Sequence, residues 1–324
     1  MKLEGIKKVA VVGAGIMGHG IAQVCAQAGY RVHVSDLKEG VLMAAVDRIR
    51  SNLETLVKYG VTTKNKAEST ISRIRVTVDL AEATKDVDFV VEAVPEIMRL
   101  KKQVFRDLDK LCPKRIILAS NTSSFSITEI GSVTERPEKV IGTHWFRPPH
   151  ITPLVEIVRG EATSDETLGV TRCFLEKLGK SPIVCRDSPG FVANRMQHVM
   201  TNEAIILLQK GIASAEDVDK AVKLGFGFRL PVVGPLEAQD FAGLDTSLRA
   251  REYEYRKLGD TKYQPPRLLR KKVEAGELGV KTGKGYYDYA KKDISSLIRK
   301  RNEQYLKLLL TLGYIKAQKE VRKT

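Results

Sequence analysis

With 324 residues, 43% hydrophobic and only 6% aromatic, the chain is long enough for about two domains, each with a proper core. No apolar run approaches the roughly 18 residues needed to cross a bilayer, so no membrane partner is expected. The net charge of +15 raises the question of nucleic acid, but no aromatic or glycine-aromatic recognition motif accompanies it, and no such partner is expected.

The charge is unevenly spread, for residues 291–324 hold ten Lys/Arg against three Asp/Glu. Two readings fit it: a solvated basic face, or a field that draws in a polyanionic small molecule. The four cysteines (Cys25, Cys112, Cys173 and Cys185) lie far apart, in no CxxC or Cys/His cluster. They read as reduced residues of a cytoplasmic protein that binds no metal. The opening MKLEGIKKVAVVG shows no signal-peptide layout, which agrees with that location.

In chain order, Lys8-Val9-Ala10-Val11-Val12 reads as a buried strand, followed at once by Gly13-Ala14-Gly15-Ile16-Met17-Gly18 and a helical pattern over 16–28. A second strand over 31–35 ends in Asp36. The GxGxxG turn lies between strand and helix, where glycines let a pyrophosphate approach a helix N-terminus. Asp36 comes 23 residues after Gly13, about where an acidic residue binds the adenosine ribose. Its charge would repel a 2′-phosphate, so the expected cofactor is NAD, with Gly13, Gly15, Ile16, Met17, Gly18 and Asp36 around it.

A long amphipathic helix is expected over 38–59, carrying Arg48, Arg50 and Lys58. Such charges serve as a solvated face or as contacts for a phosphate-bearing substrate. Strands over 74–78 and 87–91 continue the α/β alternation, and Glu92-Ala93-Val94-Pro95-Glu96 forms a loop at a strand's carboxyl end, where ligands bind in such sheets. A helix over 97–110 leads to a strand over 116–119 and then to Ser120-Asn121-Thr122-Ser123-Ser124. These small polar residues can cap the next helix or present a hydroxyl to substrate.

The stretch 143–158, THWFRPPHITPLVEIV, places a proline-containing loop between two β-branched runs. The loop is too short for a crossover helix, so the two strands should pair antiparallel. That pairing would bring His144 against Glu156, and an imidazole held by a carboxylate is a general base of fixed tautomer. The plainer reading is a structural histidine beside a surface glutamate. A helix over 165–178 and a strand over 181–184 complete the first domain. From 191 the pattern is helical throughout: 191–210, 214–223, about 234–256, 265–275 and about 293–312. Asn194 and Arg195 fall near the start of the first of these. The expected architecture is α/β: a Rossmann-type domain with a mostly parallel sheet over 1–187, then an all-α domain over 188–324.

Together these pieces resemble the short-chain L-3-hydroxyacyl-CoA dehydrogenase family across about residues 5–290. The matching stretches are VAVVGAGIMGHGIAQ, VVEAVPE, ASNTSS, the His144/Glu156 spacing, DSPGFVANR, FAGLDT and GVKTGKGYYDY. The resemblance implies that His144 is the catalytic base and Glu156 its orienting partner, with Ser123 and Asn194 contacting the substrate's oxygens. It also implies that Glu96, Lys101, Asn121 and Lys281 lie near the dinucleotide. The implied reaction is NAD-dependent oxidation of an L-3-hydroxyacyl-CoA, or the reverse, in a homodimer.

Two stretches depart from the family's usual pattern. Arg147-Pro148-Pro149-His150 stands where an Asn-Pro pair is usual, and Gly225 to Pro235 is longer than the usual glycine-proline run. Both are similar to the lambda-crystallin/L-gulonate dehydrogenase branch, which oxidises free hydroxy acids without CoA. FAGLDT and KTGKGYYDY resemble the CoA branch instead. Arg147, Arg50 and Lys58 join Ser123 and Asn194 as candidate substrate contacts, Arg147 because a guanidinium suits a carboxylate.

Overall fold

The computed structural model describes residues 5–316, and the last residues of the basic tail lie outside the described part. Two compact units make up the chain, the first ending at Thr201 and the second starting at Asn202.

In the first unit β1 (Lys8–Val12), α1 (Gly18–Gln27), β2 (Arg31–Ser35), α2 (Glu39–Lys58), α3 (Lys64–Ser72) and β3 (Ile74–Thr77) form one wing. The other wing holds α4 (Leu80–Thr84), β4 (Phe89–Glu92), α5 (Met98–Leu111), β5 (Ile117–Ser120) and α6 (Ile127–Gly131). It continues through β6 (Val140–Trp145), β7 (Leu154–Arg159), α7 (Asp165–Lys177) and β8 (Ser181–Arg186). The sheet order is β3-β2-β1-β4-β5-β6-β7-β8. All neighbours are parallel except β6 and β7. The order reverses between β1 and β4, which opens the crevice that dinucleotides occupy in such sheets.

Strand alternation divides the core into two layers. Val9 and Val11 of β1 face one layer with Ile21 and Val24 of α1, Leu42 of α2 and Phe174 of α7. Ala10 and Val12 face the other, with Phe105 and Leu108 of α5 and Ile127 and Ile130 of α6. Phe89 and Phe174 stack with ring centroids 4.5 Å apart beneath the sheet centre. One buried cation serves the frame: Arg136 donates Nε to Asp109 at 2.6 Å and Nη2 to the Cys112 carbonyl at 2.7 Å, which satisfies an acceptor just past the end of α5.

The connection between β6 and β7 packs onto α1. A Cβ at Gly20 would come within 2.5 Å of the Pro149 ring, so only glycine lets the loop sit there. Lys180 donates to the Thr152 carbonyl at 2.7 Å and lies over the Trp145 ring, which fixes the loop's other end.

Helix α8 spans Ala193–Gln209, and α9 (Ala215–Ala221), α10 (Pro235–Ala242), α11 (Leu244–Leu258), α12 (Arg267–Glu274) and α13 (Ile294–Thr311) follow. The single helix expected over about 234–256 is two helices. Gly243, at φ +92°, breaks the run because that conformation cannot continue a right-handed turn. Buried Asp240 organises this unit: its oxygens accept the backbone N–H groups of Tyr286 and Tyr287 at 2.9 Å and the Tyr289 hydroxyl at 3.2 Å. A Cβ at Gly285 would stand 2.1 Å from Asp240 Oδ1, and one at Gly279 2.3 Å from its carbonyl oxygen. FAGLDT, which follows Asp240 directly, is tied to GVKTGKGYYDY as well, through the bond from Lys281 Nζ to Asp245. Of three short helices (α3, α4 and α6), the first two were not expected and the third is the one expected after Ser124. Each is capped by a side chain just before it, Thr63, Asp79 and Ser126 respectively.

Candidate active site

The carboxyl ends of β1, β4, β5 and β6 gather the candidate residues of the first unit. After β1 the chain turns through Gly13 at φ +101°, and a Cβ there would meet the Ala93 carbonyl oxygen at 2.6 Å. At Gly18 a Cβ would lie 1.7 Å from the Gly13 carbonyl oxygen, whereas one at Gly15 would meet nothing within 4 Å. Two glycines thus close the turn, and the third leaves open space above it. Asp36 Oδ2 accepts the Ala14 N–H at 2.9 Å, so its carboxylate is held against the turn. This cradle fits a dinucleotide: open N–H groups for a pyrophosphate and a fixed carboxylate on the β2 side for a ribose. Ile16 is more than half exposed at its rim, and Met17 directly precedes α1.

On the other side of the switch point, β4 ends in Glu92, which is wholly buried. Its Oε1 accepts the Val94 N–H and Lys101 Nζ, each at 2.7 Å, and its Oε2 accepts the Ser120 hydroxyl at 2.6 Å. Lys101, 1% exposed, also reaches Glu96 Oε2 at 3.3 Å. Glu96 Oε1 accepts the Thr122 hydroxyl at 2.6 Å, the Ser123 N–H at 2.9 Å and the Ser123 hydroxyl at 3.2 Å. Burial pushes the Glu96 carboxyl up, but the bonds from Thr122, Lys101 and Ser123 hold it below its ordinary value. Burial dominates at Glu92, whose carboxyl is pushed up. Ser120-Asn121-Thr122-Ser123-Ser124 does not cap the next helix; Thr122 turns the chain by accepting the Phe125 N–H at 3.0 Å, and Ser126 is the cap. Asn121 Oδ1 accepts the Trp145 N–H at 2.9 Å and so braces β5 against β6.

His144 and Glu156 face each other in the β6–β7 ladder. Imidazole Nδ1 lies 2.7 Å from Glu156 Oε2, with both side chains buried. With Nδ1–H donating to the carboxylate, Nε2 is left as the proton acceptor. The other oxygen, Oε1, accepts the N–H groups of Val192 at 3.1 Å and Ala193 at 2.8 Å, at the start of α8. Phe191, held at φ +47°, and Phe146 flank the imidazole with ring centroids 5.6 and 4.4 Å away. In the first turn of α8, Asn194 Nδ2 donates to the Ser123 carbonyl at 3.2 Å. The structure therefore links Ser123, Asn194, Glu156 and His144 in one continuous set of contacts. An open cleft of about 550 Å³ beside it is lined by Phe191, Val192, Arg195, Met196 and Val199.

The remaining candidates lie apart from this set. Arg147 is exposed, and its guanidinium has no acidic partner among the described residues. Arg48, Arg50 and Lys58 are exposed on α2. Lys281 belongs to the second unit, where its Nζ donates to Asp245 at 2.5 Å. Sequence reasoning placed Glu92 and Ser120 in loops at strand carboxyl ends without singling either out; the available signal was a glutamate closing an apolar strand, a place where a buried charge needs a partner.

Two family models cover most of the chain: the 3-hydroxyacyl-CoA dehydrogenase NAD binding domain matches residues 8–188 and the C-terminal domain of the same enzymes matches 190–289. The chain belongs to the 3-hydroxyacyl-CoA dehydrogenase family. Its N-terminal domain is the NAD-binding one, so it is an NAD-dependent oxidoreductase. A probable 3-hydroxybutyryl-CoA dehydrogenase of Bacillus subtilis is 45% identical over 287 residues, covering 89% of this chain and 99% of that one. The human mitochondrial hydroxyacyl-coenzyme A dehydrogenase is 38% identical over 290 residues, 88% of this chain and 91% of that one. Among solved structures, a 3-hydroxyacyl-CoA dehydrogenase from Archaeoglobus fulgidus superposes with a TM-score of 0.81 at 36% identity, covering 95% of this chain and all (100%) of that one.

Proposed function

We propose that the protein interconverts short-chain L-3-hydroxyacyl-CoA and 3-oxoacyl-CoA thioesters, with 3-hydroxybutyryl-CoA and acetoacetyl-CoA as its pair. The observation that carries this reading is the buried 2.7 Å contact between His144 and Glu156, tied to Ser123 and Asn194. In oxidation His144 Nε2 takes the proton of the substrate's hydroxyl, and in reduction it returns one to the carbonyl oxygen. When bound, NAD would supply the acceptor for the hydride on the carbon that bears this hydroxyl. Glu156 stabilises the imidazolium that forms and keeps its ring in place. Ser123 and Asn194 hold the substrate's oxygens, which aligns the reacting carbon.

Gly13, Gly15, Ile16, Met17, Gly18 and Asp36 would hold the pyrophosphate and adenosine half of the cofactor. Glu96, Lys101, Asn121 and Lys281 would serve its other half. Arg50 and Lys58 would contact the phosphates of an anionic thioester substrate, whereas Arg147 is the candidate contact for a free substrate carboxylate. The division after Asp187 into cofactor and helical domains belongs to the same reading, supported by the break between the two matched family domains. So does a cytoplasmic homodimer; apolar side chains at Met196, Val199, Ile205, Leu208 and Ile212 are exposed and suit a second copy.

A second reading, turnover of a free hydroxy acid, is favoured by one observation, the unpartnered Arg147. One experiment separates them: NADH oxidation with acetoacetyl-CoA, run beside NAD reduction with L-gulonate. Turnover of the thioester supports the first reading, and turnover confined to the free acid replaces it with the second.

A further inference from the structure

Glu92, Lys101 and Glu96 form a charge cluster that the proton-transfer chemistry leaves unused. It contains two carboxylates and one ammonium. Every group that touches Glu92 is a donor: the Val94 N–H, Lys101 Nζ and the Ser120 hydroxyl. The Ser120 hydroxyl can also accept, but the Val94 N–H and the Lys101 ammonium that share Oε1 can only donate; against the upward push of burial they favour the carboxylate, and the cluster then carries a net charge of about −1.

Its place in the fold says what that charge faces. Asp36, which suits the adenosine ribose, lies at the end of β2, and the phosphate turn follows β1. A dinucleotide laid across the switch point between β1 and β4 therefore puts its other half over the ends of β4 and β5. That half is the nicotinamide, and its ring is positive in NAD⁺ and neutral in NADH. Glu92, Lys101 and Glu96 lie at the end of β4, and Glu96 takes its other bonds from Thr122 and Ser123 just past β5.

We propose that the Glu92–Lys101–Glu96 cluster sets the balance between oxidised and reduced cofactor, with Glu92 as the positioning residue that fixes its charge. Glu92 splits the attraction of Lys101, whose Nζ is 2.7 Å from Glu92 but 3.3 Å from Glu96. Lys101 therefore does not draw Glu96 off the Thr122-Ser123 turn, and Glu96 stays ionised beside the nicotinamide. The uncancelled negative charge favours the form whose ring is positive. This inference rests on NAD lying in the crevice and does not depend on which hydroxyacyl substrate is used.

The test measures dissociation constants of NAD⁺ and NADH by fluorescence titration on folded protein and takes their ratio, Kd(NAD⁺)/Kd(NADH). Glu92→Gln keeps the shape, leaves Lys101 opposite a single carboxylate and brings the cluster to neutral. The ratio should rise about fivefold to fifteenfold, as for one unit charge at roughly 10 Å in a medium of effective dielectric about 20–40. Adding Lys101→Met to Glu92→Gln restores a charge of about −1, so the double variant should return to the wild-type ratio, although it lacks both partners. A residue that merely supported the fold would make the double variant worse than either single one. Should Glu92→Gln not fold, Lys101→Met alone carries the test, because removal of the ammonium must leave the ratio unchanged or lower. An unchanged ratio in folded Glu92→Gln, a double variant that does not recover, or a rise with Lys101→Met would each overturn the proposal. The ratio is measured without substrate, so a wild-type enzyme that binds both cofactor forms but fails to turn over acetoacetyl-CoA would count against the proposed reaction instead.

Discussion

His144 and Glu156 occupy directly opposed positions in an antiparallel ladder, so the 2.7 Å bond between them is set by strand register. A slip of either strand by one residue would put the two side chains on opposite faces of the sheet. His144→Gln should lower kcat by about 10²–10⁴-fold, the usual contribution of a general base, while NADH binding stays within about twofold. In Glu156→Gln the amide can donate to Nδ1, which moves the ring proton to Nε2 and removes the proton acceptor. Its kcat should fall comparably. Retention of more than about a tenth of wild-type kcat in His144→Gln would show that the base is elsewhere, given the size of that effect.

The same carboxylate should make stability depend on pH. Burial pushes the Glu156 carboxyl up, but the bonds from His144, Ala193 and Val192 hold it below its ordinary 4.5. A carboxyl depressed in the folded state stabilises the fold above its unfolded value, and that contribution is lost as pH falls through the folded one. Urea unfolding of wild type and Glu156→Gln should therefore show a gap at pH 7 that narrows as pH falls below 4.5 and through the folded-state value. A gap that is constant with pH would mean that the side chain's shape, rather than its charge, matters.

Asp36 should set cofactor choice. Its carboxylate is pinned to the Ala14 N–H and cannot easily swing away from a 2′-phosphate. Wild type should favour NADH over NADPH by at least an order of magnitude in kcat/KM, and Asp36→Ala should lose NADH affinity while narrowing that preference. Equal use of both cofactors by wild type would contradict this.

Much of this site is legible in the sequence because its signals are local. A glycine turn directly after a strand, an acid at the end of the next strand and two β-branched runs joined by a short proline loop each declare their geometry within a few residues. Glu92 and Ser120 are harder to read. Their bond spans 28 positions, and nothing near either residue states that the strands are neighbours. The same holds for Arg136, whose partner Asp109 lies 27 residues earlier. The break at Gly243 is hidden because the apolar period continues across it, while the side chains that would crowd a Cβ there, Asp245 and Lys281, include one 38 residues away.

Arg147 separates the two substrate readings. With a thioester substrate, Arg147→Asn should keep kcat/KM for acetoacetyl-CoA within about threefold, since an exposed cation contributes little. If the guanidinium grips a substrate carboxylate bidentately, the same change should cost about 10-fold or more with a free acid. A loss confined to the free acid, in an enzyme that never turned over the thioester, would select the second reading.

Asp240 leaves no room for a side chain at Gly279 or Gly285, its backbone carbonyl closing the first position and its carboxylate the second. Any descendant that keeps this carboxylate must keep Gly285, and one that keeps this backbone must keep Gly279, whatever ligand it serves. The Gly-Tyr-Tyr stretch is thus inherited with the scaffold, whereas Arg147 lies on a loop whose backbone is fastened by Gly20 and Lys180 and whose side chain is free to vary. New substrates can be reached by changes on that loop, while the helical unit stays as it is.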